Sequence, residues 1–93
     1  MTHERADYPG AEWIAAGLGD LARGIESVAA LLVLVGGPRL RRAGVPVPAS
    51  DVTDPEHRLY AALAATNSDT AHARYNALLR RLVSYERAAK CGR

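Results

Sequence analysis

The chain has 93 residues, 48% hydrophobic and 24% charged, a composition that excludes a fully disordered protein. It carries 12 basic and 10 acidic residues, for a net charge of +2. Its one cysteine excludes an intrachain disulfide, and its longest apolar run is too short to cross a bilayer, which needs about 20 residues. Phenylalanine is absent and alanine supplies 18 residues, so Leu, Ile and Val must build the core. We expect one small cytoplasmic domain with no membrane association.

The chain is predicted to begin with a polar arm, residues 1–8, followed by one long helix over residues 11–35. Apolar residues recur in this helix at spacings of four and three, which places them on one stripe. The stripe consists of Ile14, Leu18, Leu21, Ile25, Val28, Leu32 and Val35. Gly17 and Gly24 lie beside it and predict the close approach of another backbone, because each costs about 1 kcal/mol relative to alanine. The last two turns, residues 28–35, are apolar all round and predict a segment buried on every side.

Residues 36–53 are predicted to form a stiff connection. The tripeptide Gly36-Gly37-Pro38 ends the long helix, with glycine in a left-handed cap. One extra helical turn with three arginines is expected over residues 38–43. The prolines at 46 and 48 then favour extended backbone.

Two further helices are predicted, a short one over residues 55–65 and a long one over residues 70–90. The start of the short helix carries two alternative signals. Its cap is either a box formed by Thr53 with Glu56, or Asp54 followed by a proline in the first helical position. The apolar face of the short helix is Leu59, Tyr60 and Leu63. The stripe of the last helix is Ala71, Tyr75, Leu78, Leu82, Tyr85 and Ala89.

The predicted fold class is all-α, with two long amphipathic helices and one shorter helix in a helical bundle. The helix over residues 11–35 carries more apolar surface than the other two can cover. We therefore expect a second copy of the chain to complete the bundle as a homodimer. The predicted self-association face is the stripe of the long helix together with Gly17 and Gly24.

Catalytic, cofactor and metal signals are weak along the whole chain. His3 lies in the polar arm, and His57 is expected to be an ordinary surface residue. Asp69 with His72 supplies at most half of a metal site. An active site would have to be assembled across an oligomer interface from Tyr60, His72, Arg74, Tyr75 and Asn76. The sequence thus predicts no enzyme, no cofactor and no metal.

Basic residues are concentrated after the first helix and along the last one. Residues 67–93 carry six basic and two acidic residues, whereas the rest of the chain has a net charge of −2. This pattern predicts a face for an anionic partner. The face consists of Arg39, Arg41, Arg42, Arg74, Arg80, Arg81 and Arg87.

The function predicted from these features is a small non-enzymatic protein-interaction module with an assembly, adaptor or regulatory role. It would self-associate through the first helix and bind a further protein partner. The alternative is a small nucleic-acid-binding regulator that sets the basic face on phosphates. The last two helices loosely resemble a helix-turn-helix, although the last helix is long and its apolar stripe runs along its whole length.

Overall fold

The computed structural model describes residues 8–91, with side chains through Lys90, as five helices and no strand. The helices are α1 (Ala11–Ala22), α2 (Val28–Val35), α3 (Gly37–Arg42), α4 (Pro55–Thr66) and α5 (Ala71–Cys91). The all-α fold class is confirmed. The predicted arm before Tyr8, with His3, lies outside the described residues. Within residues 8–91, no helix has both the length and the apolarity needed to cross a membrane.

The prediction of one helix over residues 11–35 is wrong, because the chain reverses direction after α1. The end of α1 is a Schellman motif in which Gly24 adopts a left-handed φ of 71°. The Gly24 N–H donates to the Leu21 carbonyl at 3.1 Å, and the Ile25 N–H donates to the Asp20 carbonyl at 2.8 Å. Gly24 is therefore required by the turn and not by a close contact, since no other segment lies within 4 Å of the position of an added Cβ.

A second helix begins at once because polar side chains cap it. The Ser27 Oγ, at the N-cap of α2, accepts a hydrogen bond from the Ala30 N–H at 3.0 Å. The same hydroxyl donates to Asp20 Oδ2 at 2.6 Å, and the Arg23 guanidinium donates to Asp20 Oδ1 at 2.6 Å. Asp20 thus joins the end of α1 to the start of α2. A cap of this kind is worth about 1 kcal/mol.

The centre of the fold is α2, which packs against α1, α3, α4 and α5. Five of its eight residues are buried, with Ala30, Leu32 and Val33 fully so. The ends of the helix are half-buried, so the predicted all-round burial is confirmed for residues 29–33 and not for the whole of residues 28–35. Gly17 of α1 lies directly against it, where an added Cβ would collide with the Ala29 carbonyl oxygen and a Val33 methyl group. The close approach predicted at Gly17 is present, but the approaching backbone is this chain's own α2.

The predicted self-association stripe is not a continuous surface, because its residues belong to two helices that pack on each other. Ile14, Gly17 and Leu32 are buried, whereas Leu18, Leu21, Val28 and Val35 are half-buried. Ile25 lies in the turn and is 46% exposed. The apolar surface predicted to bind a second copy is covered within the same chain, because α1 and α2 pack on each other and α4 packs on α2. Dimerisation therefore stays a prediction, but the excess of uncovered apolar surface on the first helix no longer supports it.

The junction between α2 and α3 brings α5 close to the backbone. Gly36 has a φ of −87°, so the expected left-handed cap is absent. Two side-chain ends of α5 lie close over Gly36, since an added Cβ would lie 2.7 Å from Leu82 Cδ1 and 2.9 Å from Glu86 Oε2. The extra turn expected over residues 38–43 is present as α3. The following connection has no regular secondary structure, and it buries Val45 and Val47, which were not predicted to lie in the core.

The helices α4 and α5 lie within one residue of their predicted bounds. Asp54 is the N-cap of α4, where its Oδ1 accepts a hydrogen bond from the His57 N–H at 3.4 Å, so the second of the two capping signals is the one used. The stripe of α5 faces inward with Ala71, Leu78, Leu82, Tyr85 and Ala89 buried and Tyr75 half-buried. Tyr8, assigned to the polar arm, instead packs edge-to-face on Tyr85 with ring centroids 5.5 Å apart.

Two glycines of α1 offer a matched test of this packing. Gly17→Ala is expected to destabilise the fold by about 1–3 kcal/mol, because the added methyl group meets the backbone of α2. Gly19→Ala should instead stabilise it by about 0.5–1 kcal/mol, since no atom of another segment lies within 4 Å and alanine favours the helix. Urea denaturation measures both. A Gly17→Ala variant as stable as the wild type would contradict the contact between α1 and α2.

Candidate partner-binding face

An open groove of about 440 Å³ lies between α3 and the C-terminal half of α5. Four of the seven residues along it are basic and one is acidic. The lining residues are Arg39, Arg42, Ala43, Val83, Glu86, Arg87 and Lys90. The lining of the groove is therefore mainly positive, with Ala43 and Val83 as its apolar residues.

A second open groove, of about 530 Å³, shares Val83 and Arg87 with the first. Its lining is Asn76, Leu79, Arg80, Val83, Ser84 and Arg87. Val83 is 36% exposed and Leu79 is half-buried, so apolar side chains also lie at the centre of this groove. The residues of the two grooves together are called the basic groove face below.

The regular spacing of α5 produces this face. Residues 76, 80, 83, 87 and 90 recur at intervals of three or four, which places them along one side of a helix, and Leu79 lies four residues before Val83 on the same side. A different side carries the buried stripe, with Leu78, Leu82 and Tyr85. The last helix thus has one apolar side in the core and a second, basic and partly apolar side toward solvent. From Asn76 to Lys90 this second side is about 21 Å long at 1.5 Å per residue.

One acidic side chain, Glu86, lines the first groove together with its four basic residues. Its side chain is 11% exposed, and its Oε1 lies 3.9 Å from Arg39 Nη1. Its Oε2 is buried and accepts no hydrogen bond from any described residue. Burial raises the pKa of Glu86 above its ordinary value, and the charge of Arg39 opposes the rise.

The structure divides the seven predicted arginines into three groups. Four of them, Arg39, Arg42, Arg80 and Arg87, line the basic groove face. The Arg41 guanidinium instead donates to the Val47 and Pro48 carbonyls, at 3.2 and 3.1 Å, and so holds the connection against α3. Arg74 and Arg81 are exposed on α5 but line neither groove.

Sequence reasoning missed the non-arginine part of the face. Val83 and Leu79 give it an apolar centre, and Glu86 gives it a buried carboxylate. The sequence carried a signal for Val83, which follows Arg80 by three residues and precedes Arg87 by four. This spacing places it on the same side of the helix as the two arginines.

The aromatic and histidine residues of α4 and α5 form a separate cluster. The rings of Tyr60 and Tyr75 pack edge-to-face with centroids 5.4 Å apart, and those of Tyr60 and His72 lie 6.4 Å apart. Asn76 Nδ2 lies 3.2 Å from His72 Nε2. Burial raises the pKa of Tyr75, and the nearby charge of Glu56 adds to the rise. The ring contacts of Tyr60 join α4 to α5.

Among residues 8–90, no group of three His, Cys, Asp or Glu side chains is placed to hold a metal ion. No family model, curated protein or solved structure matches this chain significantly. Any functional conclusion therefore rests on the chemistry of the chain's own surfaces, and the basic groove face is the most developed of these.

Glu86→Gln is expected to flatten the loss of stability that accompanies rising pH. The folded chain holds the Glu86 proton more tightly than the unfolded chain, because burial raises its pKa. The contribution of Glu86 to stability is then greatest below the ordinary value of 4.5 and is lost as the pH rises through the folded pKa. Urea denaturation between about pH 3 and pH 7 measures the slope.

Asp20→Asn supplies a control of opposite sign. The hydrogen bond from Ser27, with that from Arg23, lowers the pKa of Asp20 below its ordinary value of 3.8. Its contribution is present above that pH and is lost as the pH falls through the folded pKa, so Asp20→Asn should remove part of the loss at acid pH. An unchanged pH slope in Glu86→Gln would contradict the buried, unpaired oxygen described above.

Proposed function

We propose that this chain is a small, non-enzymatic protein-interaction module with an assembly, adaptor or regulatory role, and that its basic groove face binds an acidic segment of a partner protein. One observation carries the proposal. Two adjoining open grooves bring basic side chains beside an exposed apolar one, Val83, which lines both. A cytoplasmic location, suggested by the single cysteine, belongs to the same proposal.

The apolar centre favours a protein partner over nucleic acid. Protein interfaces combine an apolar middle with a polar rim, and arginine is enriched in them. Val83 and Leu79 would contribute such a middle, whereas a phosphate backbone offers them little.

Nucleic acid is the second candidate, and the arginines on one side of α5 favour it. Arg80 and Arg87 are seven residues apart, or about 10 Å along the helix. With Arg39 of α3 they could contact successive phosphates of a duplex. Binding of that kind weakens by about 0.9 log units per log unit of salt for each phosphate contacted.

Site-specific photo-crosslinking in the native host tests the partner class. A photoreactive phenylalanine analogue replaces Val83, and in a second variant it replaces Ala65, an exposed residue of α4 that lines neither groove. We expect a discrete protein product from position 83 alone, with the crosslink mapped by mass spectrometry to an acidic segment. Addition of Arg87→Gln should reduce its yield.

The same experiment has two outcomes that contradict the proposal. Crosslinks from position 83 to nucleic acid would favour the second candidate instead. Equal protein products from positions 83 and 65 would show that the basic groove face has no special role.

Self-association is a separate proposal, and its surface is reduced to the turn around Ile25. This side chain is 46% exposed, and half-buried Leu21 and Val28 flank it. We propose that a dimer uses this turn, so light scattering at micromolar concentration should give twice the 9.9 kDa mass of one chain. Ile25→Glu should return it to the monomer. A wild-type monomer would reject self-association.

A further inference from the structure

We infer that the acidic segment binds as an amphipathic α-helix that lies lengthwise along α5, over Val83. The inference rests on the proposed function and adds the conformation of the partner segment, its lengthwise orientation along α5 and its charge pattern. It draws on the shape of the basic groove face, on the order of its charges and on the types of secondary structure beside it.

The shape of the face is that of a helix-packing surface. Side chains three and four apart form ridges on a helix, and a second helix places its own ridges in the grooves between them. The exposed side of α5 offers such a ridge, in which Val83 and Arg87 border both grooves. Its length of about 21 Å matches about 14 residues, or four turns, of a partner helix.

The order of the charges defines the side chains that the partner must carry. Arg39 and Arg42 lie on the α3 side of the first groove, and Arg80 is contributed by α5 to the second. The apolar centre, Val83 with half-buried Leu79, lies on the ridge of α5 that borders these arginines. A complementary helix has an apolar stripe to cover this centre and Glu or Asp on both flanks, in the recognition mode where an amphipathic helix occupies a groove.

An extended partner would have less to bind. Extended peptides gain their affinity by adding a strand to the edge of a sheet. Residues 8–91 contain no strand, so the described surface has no such edge. A helix satisfies its own backbone hydrogen bonds and needs only side-chain contacts.

A second copy of this chain does not match the required pattern. The described helices carry few acidic residues, with Glu12 and Asp20 in α1, Glu56 in α4 and Glu86 in α5. Of these, Asp20 is committed to Ser27 and Arg23. None of the helices carries an acidic border on both sides of an exposed apolar stripe, so the partner is a different protein.

Fluorescence anisotropy with purified protein and labelled synthetic peptides tests the inference. The first peptide has about 16 residues, with leucines at spacings of three and four flanked by glutamates. The second has the same composition in an order that destroys the stripe. We expect the first to bind at least tenfold more tightly and to gain helical circular dichroism on binding. A duplex oligonucleotide serves as the third probe.

Variants of neighbouring residues provide the matched control. Arg80 and Arg81 are adjacent and exposed on the same helix, but only Arg80 lines the face. Arg80→Gln should weaken binding of the first peptide about three- to tenfold, the range for loss of a charge-assisted contact. Arg81→Gln should leave the dissociation constant unchanged. Val83→Asp, at a position exposed enough to keep the fold, should weaken binding at least tenfold.

The outcomes separate the inference from the proposed function. Equal binding of both peptides, with loss in Arg80→Gln, would overturn the helical conformation and leave an acidic partner in place. Binding of the duplex alone would overturn both, and so would the absence of binding to any probe. Equal effects of Arg80→Gln and Arg81→Gln would show that general charge, and not this face, attracts the peptide.

Discussion

The burial of α2 is the constraint on which the rest of the structure depends. Its eight residues are all apolar, so no side of this helix can face water without cost, and each fully buried Leu or Val contributes about 1.5–3 kcal/mol. A chain of this size can surround such a helix only if it folds back on itself. The Schellman turn at Gly24 and the close contact at Gly17 make this reversal possible, and α4 and α5 cover the other sides.

The basic groove face follows from how α3 is attached to this core. α3 has six residues, of which Leu40 is fully buried, so it is held by one apolar anchor. Helical spacing then turns Arg39 and Arg42, three residues apart, toward α5. Gly36 lets Leu82 and Glu86 of α5 approach the backbone at the near end of α3. The groove is the open space that remains between α3 and α5 beside this anchor.

Sequence periodicity located much of this fold but misjudged one boundary with large consequences. The starts and ends of α4 and α5 carry local signals, a capping aspartate before a proline and an unbroken stripe. The break after α1 also carried signals, Gly24 for a left-handed end and Ser27 for a new N-cap, but the stripe continued across it at the same spacing. A pattern of threes and fours cannot show whether its residues lie on one helix or on two helices that face each other.

The candidate site was predicted only in part, for a related reason. Charge can be counted in a sequence, but whether Val83 is exposed and Glu86 enclosed depends on where α3 lies.

The arginine excess shows most clearly why composition could not assign a function. The same residue type serves three purposes here. Arg41 donates to backbone carbonyls of the connection, and Arg58 of α4 pairs with Glu26 in the α1–α2 turn at 2.8 Å. Both use the several donors of a guanidinium to join segments distant in sequence, which one ammonium group does less well. Only the arginines beside Val83 surround an apolar surface that the chain leaves uncovered. The proposed recognition role rests on that surface, because a cation that only stabilises the fold needs no exposed apolar neighbour.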